Sequence, residues 1–448
     1  MKIVEITPFG WRLPAQSPFW RIPPRPPHLQ DIAYKDGFDY STVFYDVFLS
    51  SDERFAVCVG PPLANLRPAI EEATFTALGA SGHTVPCEKV IDPLDRCSRV
   101  WVALPPGKKD VLCCLGKLGK VSLPIGASYC DLFAGKSVLF TRQKNNELDW
   151  IADWINLNQA LHGIEAVLLF DNGSTAYSTQ ELLQYLAAHV HLDVLCLMHQ
   201  DYPYGPGGGG GHQLLVQANH NHPLPWDSDF LSYGLLEIAH QRFLSDAKQV
   251  IWGDIDEIML SEDGVDISSR LAASATGVLN VSGSCIQCVA APVSSDLKSL
   301  TRRKDISAFF QPPFHTAPMP GSGKWCFCAG GVNSLDQLKV HDIQRLSTGT
   351  AMPAVEQGMG FRHFLHITTG WKGINRKERP VFDKGKHAFD CALVKALSRE
   401  TRSMRGYTYP LSDILAYARA VGACPRPPES PVPSPCAAYD CSACPFNA

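Results

Sequence analysis

Two aspartates one residue apart follow a short apolar segment near the middle of the chain. Asp254 and Asp256 come directly after residues 249–253, and Glu257 adds a third acidic side chain. Alternate side chains of an extended segment point the same way, so the two aspartates are expected to face one site. Converging carboxylates suit a hard divalent cation such as Mg²⁺ or Mn²⁺, which keeps positions open for phosphate oxygens. The alternative is an acidic turn without a ligand, because an Asp-x-Asp pair is common by chance.

An earlier loop, residues 141–147, joins a predicted strand to a predicted helix. It carries two cations, Arg142 and Lys144, beside the start of that helix. Free N–H groups and the helix dipole favour negative charge there, so the loop can face an anion. Asn146 and Glu147 have the alternative role of ordinary helix caps.

A second loop, residues 171–175, follows the next predicted strand. Its first residue, Asp171, could accept hydrogen bonds from a ribose hydroxyl or a base N–H. The alternative is a simple turn built on Asn172 and Gly173.

Several further side chains have both a chemical and a structural interpretation. Glu257 could act as a general base, or it could bond to the backbone and fix the turn. A group of cations could neutralise a diphosphate, although a basic stretch is more often a solvated face: Lys324, Lys372, Arg376 and Lys377. Three histidines occur late in the chain, and a single histidine is more often a core residue than a ligand: His341, His363 and His366.

The elements that must position these residues change character near residue 136. Before it, short apolar runs between Pro, Gly and Asp residues predict a small antiparallel sandwich or barrel. After it, alternating signals predict an α/β layer with parallel strands. The predicted strands are 137–141, 166–170, 192–197, 249–253 and 277–281, and the predicted helices are 146–161, 179–189 and 228–245. Ligands of open α/β sheets bind beyond the carboxyl ends of strands, where the acidic triplet and both loops are predicted to lie.

Length and composition limit the class of protein. The chain has 448 residues, a formal net charge of −4 and 45% hydrophobic residues, which is enough for a substantial core. The near-neutral charge argues against a dedicated nucleic-acid binder. No apolar run has the length of a membrane span, and the first six residues do not resemble a secretory signal. These features predict a soluble, cytoplasmic protein.

The 16 cysteines are dispersed along the chain, and most are expected to be reduced, buried thiols. The end of the chain, residues 411–448, is rich in Pro and Cys and is predicted to be a tail. Cys436, Cys441 and Cys444 have a spacing that could bind zinc or an iron–sulfur cluster. The Pro-rich flanks give such a site no folded support.

Taken in order, these segments resemble glycosyltransferases of the GT-A fold, especially the family 92 type and its family-2-like relatives. The matching stretches are Arg142-Gln143-Lys144-Asn145-Asn146-Glu147 with Trp154, Leu169-Phe170-Asp171-Asn172-Gly173-Ser174-Thr175, Trp252-Gly253-Asp254-Ile255-Asp256-Glu257-Ile258, and the late segments 362–367 and 371–377. The resemblance covers roughly residues 136–400. Two positions depart from the family pattern: Ala176 replaces an acid, and Ile258 replaces an aromatic residue.

The resemblance implies a Rossmann-like mixed sheet flanked by helices, with a smaller β-rich domain before it. The implied domains are 1–135, a GT-A-like domain at 136–410 and the tail at 411–448. The implied activity is metal-dependent transfer of a hexose from a nucleotide-sugar, with UDP as the expected nucleotide, to a glycan or another hydroxyl acceptor. Mn²⁺ or Mg²⁺ would be held by Asp254, Asp256 and His366. The nucleotide-sugar would contact Arg142, Asn146, Glu147, Asp171, Asp254 and Arg376, and Glu257 is the candidate catalytic base.

Two other functions remain open from the sequence. The departures at Ala176 and Ile258 suit a non-catalytic carbohydrate-binding or scaffold protein on a degenerate transferase fold, with the first domain recognising the glycan. A nucleotidyltransferase can share paired acids beyond strands. It usually carries a Gly-rich phosphate loop after the first strand, and residues 142–147 contain no glycine.

Overall fold

The computed structural model describes residues 1–92, 94–207, 226–287 and 314–365, and a few later positions: 367, 369, 388–390 and 392–393. The described chain contains one large mixed sheet with helices packed against it, and smaller antiparallel sheets. The predicted α/β class is therefore confirmed. Four features of the sequence lie outside the described residues: the glycines at 208–211, His366, Arg376 and the tail at 411–448.

The strands of the first part of the chain are β1 (Lys2–Ile6), β2 (Trp11–Arg12), β3 (Thr42–Phe44), β4 (Asp46–Leu49), β5 (Phe55–Gly60), β6 (Thr74–Leu78), β7 (Thr84–Cys87), β8 (Lys89–Asp92), β9 (Ser98–Ala103), β10 (Val111–Gly116) and β11 (Gly119–Pro124). The later strands are β12 (Ser137–Gln143), β13 (Ala166–Asp171), β14 (Val194–His199), β15 (Gln249–Trp252), β16 (Glu257–Ser261), β17 (Val278–Gln287), β18 (Phe314–Cys328), β19 (Gln337–Leu338), β20 (Ile343–Gln344), β21 (Met359–Phe364) and β22 (Ala388–Phe389). The α-helices are α1 (Ile32–Gly37), α2 (Arg67–Glu72), α3 (Cys130–Phe133), α4 (Leu148–His162), α5 (Thr179–His189), α6 (Phe230–Ala239) and α7 (Ile267–Ala273). Short 3₁₀ turns lie at Pro27–Leu29 and Ala64–Leu66, and a π-helical turn, His240–Leu244, continues α6.

The large sheet has the strand order β1-β14-β13-β12-β15-β18-β17-β21-β16, with β22 paired to β18. The first five strands in this order run parallel to their neighbours. Strand β18 then joins β15 and β17 in antiparallel pairing, and β16 pairs antiparallel with β21. Because β12 to β15 are parallel, their carboxyl ends meet at one edge of the sheet. Four loops from distant parts of the sequence therefore lie side by side.

Helices cover both faces of the parallel strands. Leu139 and Leu169 pack with α4 and α5 in one apolar cluster, whereas Phe140 and Leu168 pack with α6 in another. This division follows from strand geometry, since successive side chains point to opposite faces. Strands buried on both sides need continuous apolar runs, and every residue of β13 is buried. Within the described ranges, none of the helices combines the length and the apolar character needed to cross a bilayer.

Local signals explain where the helices around the site begin and end. Helix α5 begins after a capping box between Ser178 and Glu181, and its bounds are those predicted from the sequence. Helix α4 begins two residues later than predicted, because Glu147 has an extended backbone and serves as its N-cap residue. It ends at Gly163, whose φ of 63° places it in the left-handed conformation that glycine tolerates.

The first part of the chain is β-rich, as predicted, but it is joined closely to the large sheet. Two four-stranded antiparallel sheets, β4-β5-β9-β8 and β11-β10-β6-β7, share a third apolar cluster. Strand β1, however, is an edge strand of the large sheet and pairs with β14. A fully buried ion pair also connects Arg99 to Glu237 of α6, with Nη1 and Oε1 2.6 Å apart. The domain boundary near residue 135 stays a prediction.

Candidate functional site

The loops after β12 and β13 are hydrogen-bonded to each other at the carboxyl edge of the sheet. The Asn145 side-chain oxygen accepts the backbone N–H groups of Thr175 and Ala176, at 2.6 and 3.0 Å. Asn145 adopts a φ of 54°, a left-handed conformation that asparagine tolerates better than most residues. The Asn145 backbone N–H in turn donates to Ser174 Oγ at 2.9 Å. The loops at 141–147 and 171–176, which the sequence predicts to contact a nucleotide, are therefore joined into one hydrogen-bonded surface, called the ledge below.

Asp171 is buried beneath this ledge and its carboxylate is occupied by protein donors. It accepts hydrogen bonds from the backbone N–H of Ser174, at 3.1 Å, and from the side chain of Gln143. Only 7% of the residue is exposed. These contacts match the turn-forming alternative of the sequence analysis, and contact between Asp171 and a nucleotide stays a prediction.

The other residues predicted from the first loop point to different places. Asn146 is half-buried, and its backbone N–H donates to Gln143 Oε1 at 3.3 Å. Glu147 is exposed and makes no side-chain cap to α4. Arg142 instead extends toward the acidic triplet, with its guanidinium 5.0 Å from the centre of the Trp252 ring. Its Nη2 lies 4.0 Å from Asp254 Oδ1.

The acidic triplet lies in the turn between β15 and β16. Asp254, Asp256 and Glu257 each bring one carboxylate oxygen to within 4.8 Å of the others. The sequence argument for their convergence was wrong in one respect, because the segment is a turn and not an extended strand. The Glu257 backbone N–H donates to Asp254 O at 2.9 Å and closes this turn. Trp154 of α4 supports it from below by donating its indole N–H to Glu257 O at 3.0 Å.

Lys324 of β18 places a buried ammonium group between two of the three acids. Its Nζ lies 2.8 Å from Asp254 Oδ2 and 2.7 Å from Glu257 Oε2, and 1% of the residue is exposed. The interpretation of Lys324 as part of a solvated basic face is therefore wrong. Glu257 Oε2 also accepts the Asp254 backbone N–H at 3.1 Å. Glu257 therefore fixes the turn, which is the structural role given as an alternative above. Its role as a base stays a prediction.

A histidine on the neighbouring strand faces Asp256. Residue 257 of β16 pairs with His363 of β21, and His363 Nε2 lies 3.2 Å from Asp256 Oδ2. This contact lacks hydrogen-bond alignment, and within the described part of the chain neither buried ring nitrogen has a hydrogen-bond partner. His366, the metal ligand that the family resemblance implies, lies outside the described residues. Within them, His363 lies beside Asp256.

The electrostatics of the cluster follow from burial and opposing charges. Burial raises the pKa of Asp254, but Lys324 and Arg142 outweigh it and hold that pKa well below its usual range. Burial dominates at Glu257 and raises its pKa, although Lys324 opposes it. Burial lowers the pKa of Lys324, and the two carboxylates reverse this and raise it. His341, near the same cations, has its pKa lowered to about 4 by burial and by Lys324.

The side chains around the triplet include potential ligands for a divalent ion. Asp254 and Asp256 are the partly exposed acids, with side-chain exposures of 33% and 24%. They offer carboxylate oxygens, which are the ligands that Mg²⁺ and Mn²⁺ prefer. Glu257 contacts Lys324 and a backbone N–H through Oε2, and its Oε1 takes no part in those two contacts. Among the described residues, the side chains whose ligand atoms converge are Asp254, Asp256 and Glu257, and His363 lies beside Asp256. The chemistry of this carboxylate set fits a divalent ion.

Two of these residues could have been ranked higher from the sequence. Lys324 is followed by the apolar run Trp325-Cys326-Phe327, and a charge next to such a buried run needs a buried partner. His363 lies between Phe361 and Phe364 in an apolar strand, which also indicates burial. Their partners could not be identified, because Lys324 and His363 are about 70 and 110 residues from the triplet.

Comparisons with known proteins add little to this geometry. No protein-family model matches the chain, and no curated protein matches it. Among solved structures, it is similar to the apo structure of the bifunctional glycosyltransferase WbbM, with 11% identity and a TM-score of 0.19. The match covers 64% of this chain and 37% of the WbbM chain. At this TM-score the similarity carries no argument, and the resemblance to family 92 has no support from these comparisons.

Proposed function

We propose that this protein is a glycosyltransferase that moves a hexose from a UDP-sugar to a hydroxyl group of a glycan or another acceptor. The observation that carries the proposal is the meeting of Asp254, Asp256 and Glu257, with His363 beside Asp256, at the carboxyl edge of four parallel strands. Open α/β sheets bind their ligands at this edge. The ordered motifs from which the resemblance was drawn end here too, in the loops after β12, β13 and β15.

In this proposal the partly exposed acids and His363 hold Mn²⁺ or Mg²⁺. The ion would supply a Lewis acid for the leaving diphosphate. Arg142 would assist, since its Nη1 is buried and has no hydrogen-bond partner among the described residues. The guanidinium can donate bidentate bonds to phosphate oxygens and is oriented for this by Trp252.

The ledge formed by the first two loops would hold the nucleoside. The Asn145 contacts fix the ledge before any ligand arrives, which lowers the ordering cost of binding. Asp171 supports the ledge from within, and Asn146 and Glu147 lie on its partly exposed side. Arg376 and His366 keep their predicted roles in donor and metal binding as proposals outside the described residues.

Glycosyl transfer also requires stabilisation of the positive charge that develops on the sugar. The anomeric carbon gains oxocarbenium-like character as the diphosphate leaves, by analogy with glycoside hydrolysis. A carboxylate near the acceptor would stabilise that charge or take the hydroxyl proton. From the sequence, Glu257 is the candidate for this carboxylate. Its hydrogen bond from the Asp254 backbone N–H also holds Asp254 in place.

The test measures UDP release from UDP-galactose and UDP-glucose in the presence of Mn²⁺. We expect turnover by the wild-type protein and a loss of about 10- to 100-fold in Asp256→Asn and His363→Ala, by analogy with loss of metal-supporting groups. Asp246→Asn is the matched control, because Asp246 is exposed and its carboxylate accepts a hydrogen bond from the neighbouring Ser245 hydroxyl. Equal turnover in all four proteins would refute the assigned roles.

A second candidate is a carbohydrate-binding protein without transferase activity. It is favoured by Lys324, whose ammonium forms ion pairs with both Asp254 and Glu257. Glycan-array binding by the full chain, with no UDP binding in calorimetry, would support this function. The full chain is needed because β1 and the Arg99–Glu237 pair join the first part of the chain to the large sheet.

A further inference from the structure

Lys324 stands where it controls the charge of the whole cluster. Its Nζ contacts Asp254 Oδ2 and Glu257 Oε2 at salt-bridge distance and lies 5.2 Å from the centre of the Trp252 ring. The side chain is 1% exposed, so water screens these contacts weakly. Lys324 pairs with Val281 of β17, and two residues further along β18 the pairing with β15 begins at Cys326. The ammonium is therefore a fixed positive charge of the fold.

The cluster is only weakly negative as a result. The triplet contributes three carboxylates, and Lys324 and Arg142 contribute two positive charges within 4.0 Å of them. These three carboxylates and two cations together leave one net negative charge. A divalent ion entering alone would leave the site with a net positive charge beside a buried ammonium. A diphosphate entering together with the ion would restore the balance.

Lys324 also limits which oxygens are free. Asp254 Oδ2 and Glu257 Oε2 are both taken by the ammonium, which leaves Asp254 Oδ1, Glu257 Oε1 and the Asp256 carboxylate for a cation. Few anionic ligands and a nearby positive charge both weaken the binding of a hard cation. The same features do not oppose an ion that arrives with phosphate oxygens as additional ligands.

We infer that Lys324 sets the divalent-cation affinity of this site and makes metal binding depend on a bound nucleoside diphosphate. This inference rests on the proposed function, because it takes the diphosphate as the natural ligand. It goes beyond that proposal by giving Lys324 a positioning role and by fixing an order: Mn²⁺ alone binds weakly, and Mn²⁺ with UDP binds tightly. Lys324 takes one carboxylate oxygen of Asp254 and one of Glu257, and so it positions both acids.

The test measures Mn²⁺ binding directly, by the loss of the free-ion signal in electron paramagnetic resonance, with and without UDP. For the wild-type protein we expect binding at least about tenfold tighter with UDP, which corresponds to ~1.4 kcal/mol. In Lys324→Gln we expect binding of Mn²⁺ alone to tighten by at least about tenfold, because two carboxylate oxygens are released and a positive charge is lost. The dependence on UDP should shrink correspondingly.

Two controls separate charge from disturbance of the fold. Lys324→Arg keeps the positive charge and should retain weak binding of Mn²⁺ alone. Lys136→Gln removes a lysine that pairs with Asp193 at the opposite end of β12, and should behave as the wild type. Far-UV circular dichroism and thermal unfolding report whether each variant is folded. The wild-type comparison needs no variant, so it tests the inference even if Lys324→Gln fails to fold.

The outcomes distinguish the inference from the proposed function. Wild-type protein that binds Mn²⁺ equally tightly with and without UDP overturns the inference and leaves the proposed function standing. A folded Lys324→Gln protein with unchanged affinity for Mn²⁺ alone also overturns the inference and leaves the proposed function standing. Absence of both UDP and Mn²⁺ binding in the wild-type protein overturns the proposed function, and the inference with it.

Discussion

Arg242 carries a buried charge that connects the helix α6 region to the N-terminal strands. Its Nη1 lies 2.5 Å from Asp46 Oδ2, and the two side chains are 1% and 0% exposed. Its Nε also donates to Ala127 O at 3.0 Å. We predict that Arg242→Met lowers the free energy of unfolding strongly, because the Asp46 carboxylate loses its partner in a site without water.

The magnitude follows from the burial of both groups. Breaking a buried ion pair by removing one partner costs about 3–5 kcal/mol, and the lost bond to the carbonyl of Ala127 adds about 1 kcal/mol. Burial raises the pKa of Asp46, and the Arg242 guanidinium opposes that rise. In Arg242→Met the folded-state pKa of Asp46 should therefore rise further above that of the unfolded chain.

The sign of the pH dependence follows from this shift. A carboxyl group with a raised folded-state pKa takes up a proton on folding, so its penalty is absent below the unfolded pKa of about 4. The penalty grows as the pH rises through the folded-state pKa. The free-energy difference between Arg242→Met and the wild type should therefore be larger at about pH 8 than at about pH 5.

Urea unfolding, followed separately by tryptophan fluorescence and circular dichroism, measures this difference. Two probes are needed because a chain of this size need not unfold in one step. The double variant Asp46→Asn/Arg242→Met should recover at least about 1.5 kcal/mol, as expected for coupled residues. Arg54→Met is the control, since Arg54 is 75% exposed and lies 3.9 Å from Asp52. A loss below about 1 kcal/mol in Arg242→Met, or additive single effects, would refute the reasoning.

Three further predictions concern the supports of the site. Trp154→Phe removes the bond to Glu257 O and should cost about 1–2 kcal/mol in urea unfolding, with weaker Mn²⁺ binding in the presence of UDP. Asn145→Ala removes the acceptor for two backbone N–H groups of the ledge, so calorimetry should show UDP binding weakened by about tenfold, with Lys120→Ala, exposed on β11, as the control. Gly205→Ala should lower the midpoint of thermal unfolding, because φ is 92° there and an added Cβ would lie 1.8 Å from Ser228 O; an unchanged midpoint would contradict this.

The parallel strands β12 to β15 and the helices beside them could largely be predicted from the sequence because their signals are local. The apolar run at 166–170 is a fully buried strand, extended by one residue to Asp171. Helix α5 has its predicted bounds because a capping box and an amphipathic pattern define it. Strand β1 was not predicted as part of the large sheet, since its pairing with β14 joins residues about 190 positions apart and has no local signal.

In the candidate site, too, the local features could be predicted from the sequence and the long-range contacts could not. The sequence alone singled out Asp254 and Asp256 as a pair, and it placed them correctly just beyond a strand. It could not decide that a turn, closed by the Glu257 N–H, brings them together. It also ranked Glu257 as a base, whereas the structure engages that carboxylate with Lys324.

By itself the sequence determined which segments become buried strands and helices, and that acids follow β15, because periodicity and capping act within a few residues. Only the tertiary structure decided which cation and which histidine meet those acids. Lys324 and His363 reach them through the pairing of β18 with β15 and of β21 with β16. Such pairing is selected by the burial of whole sheet faces, an energy spread over many residues, so no local pattern records which side chains it brings into contact.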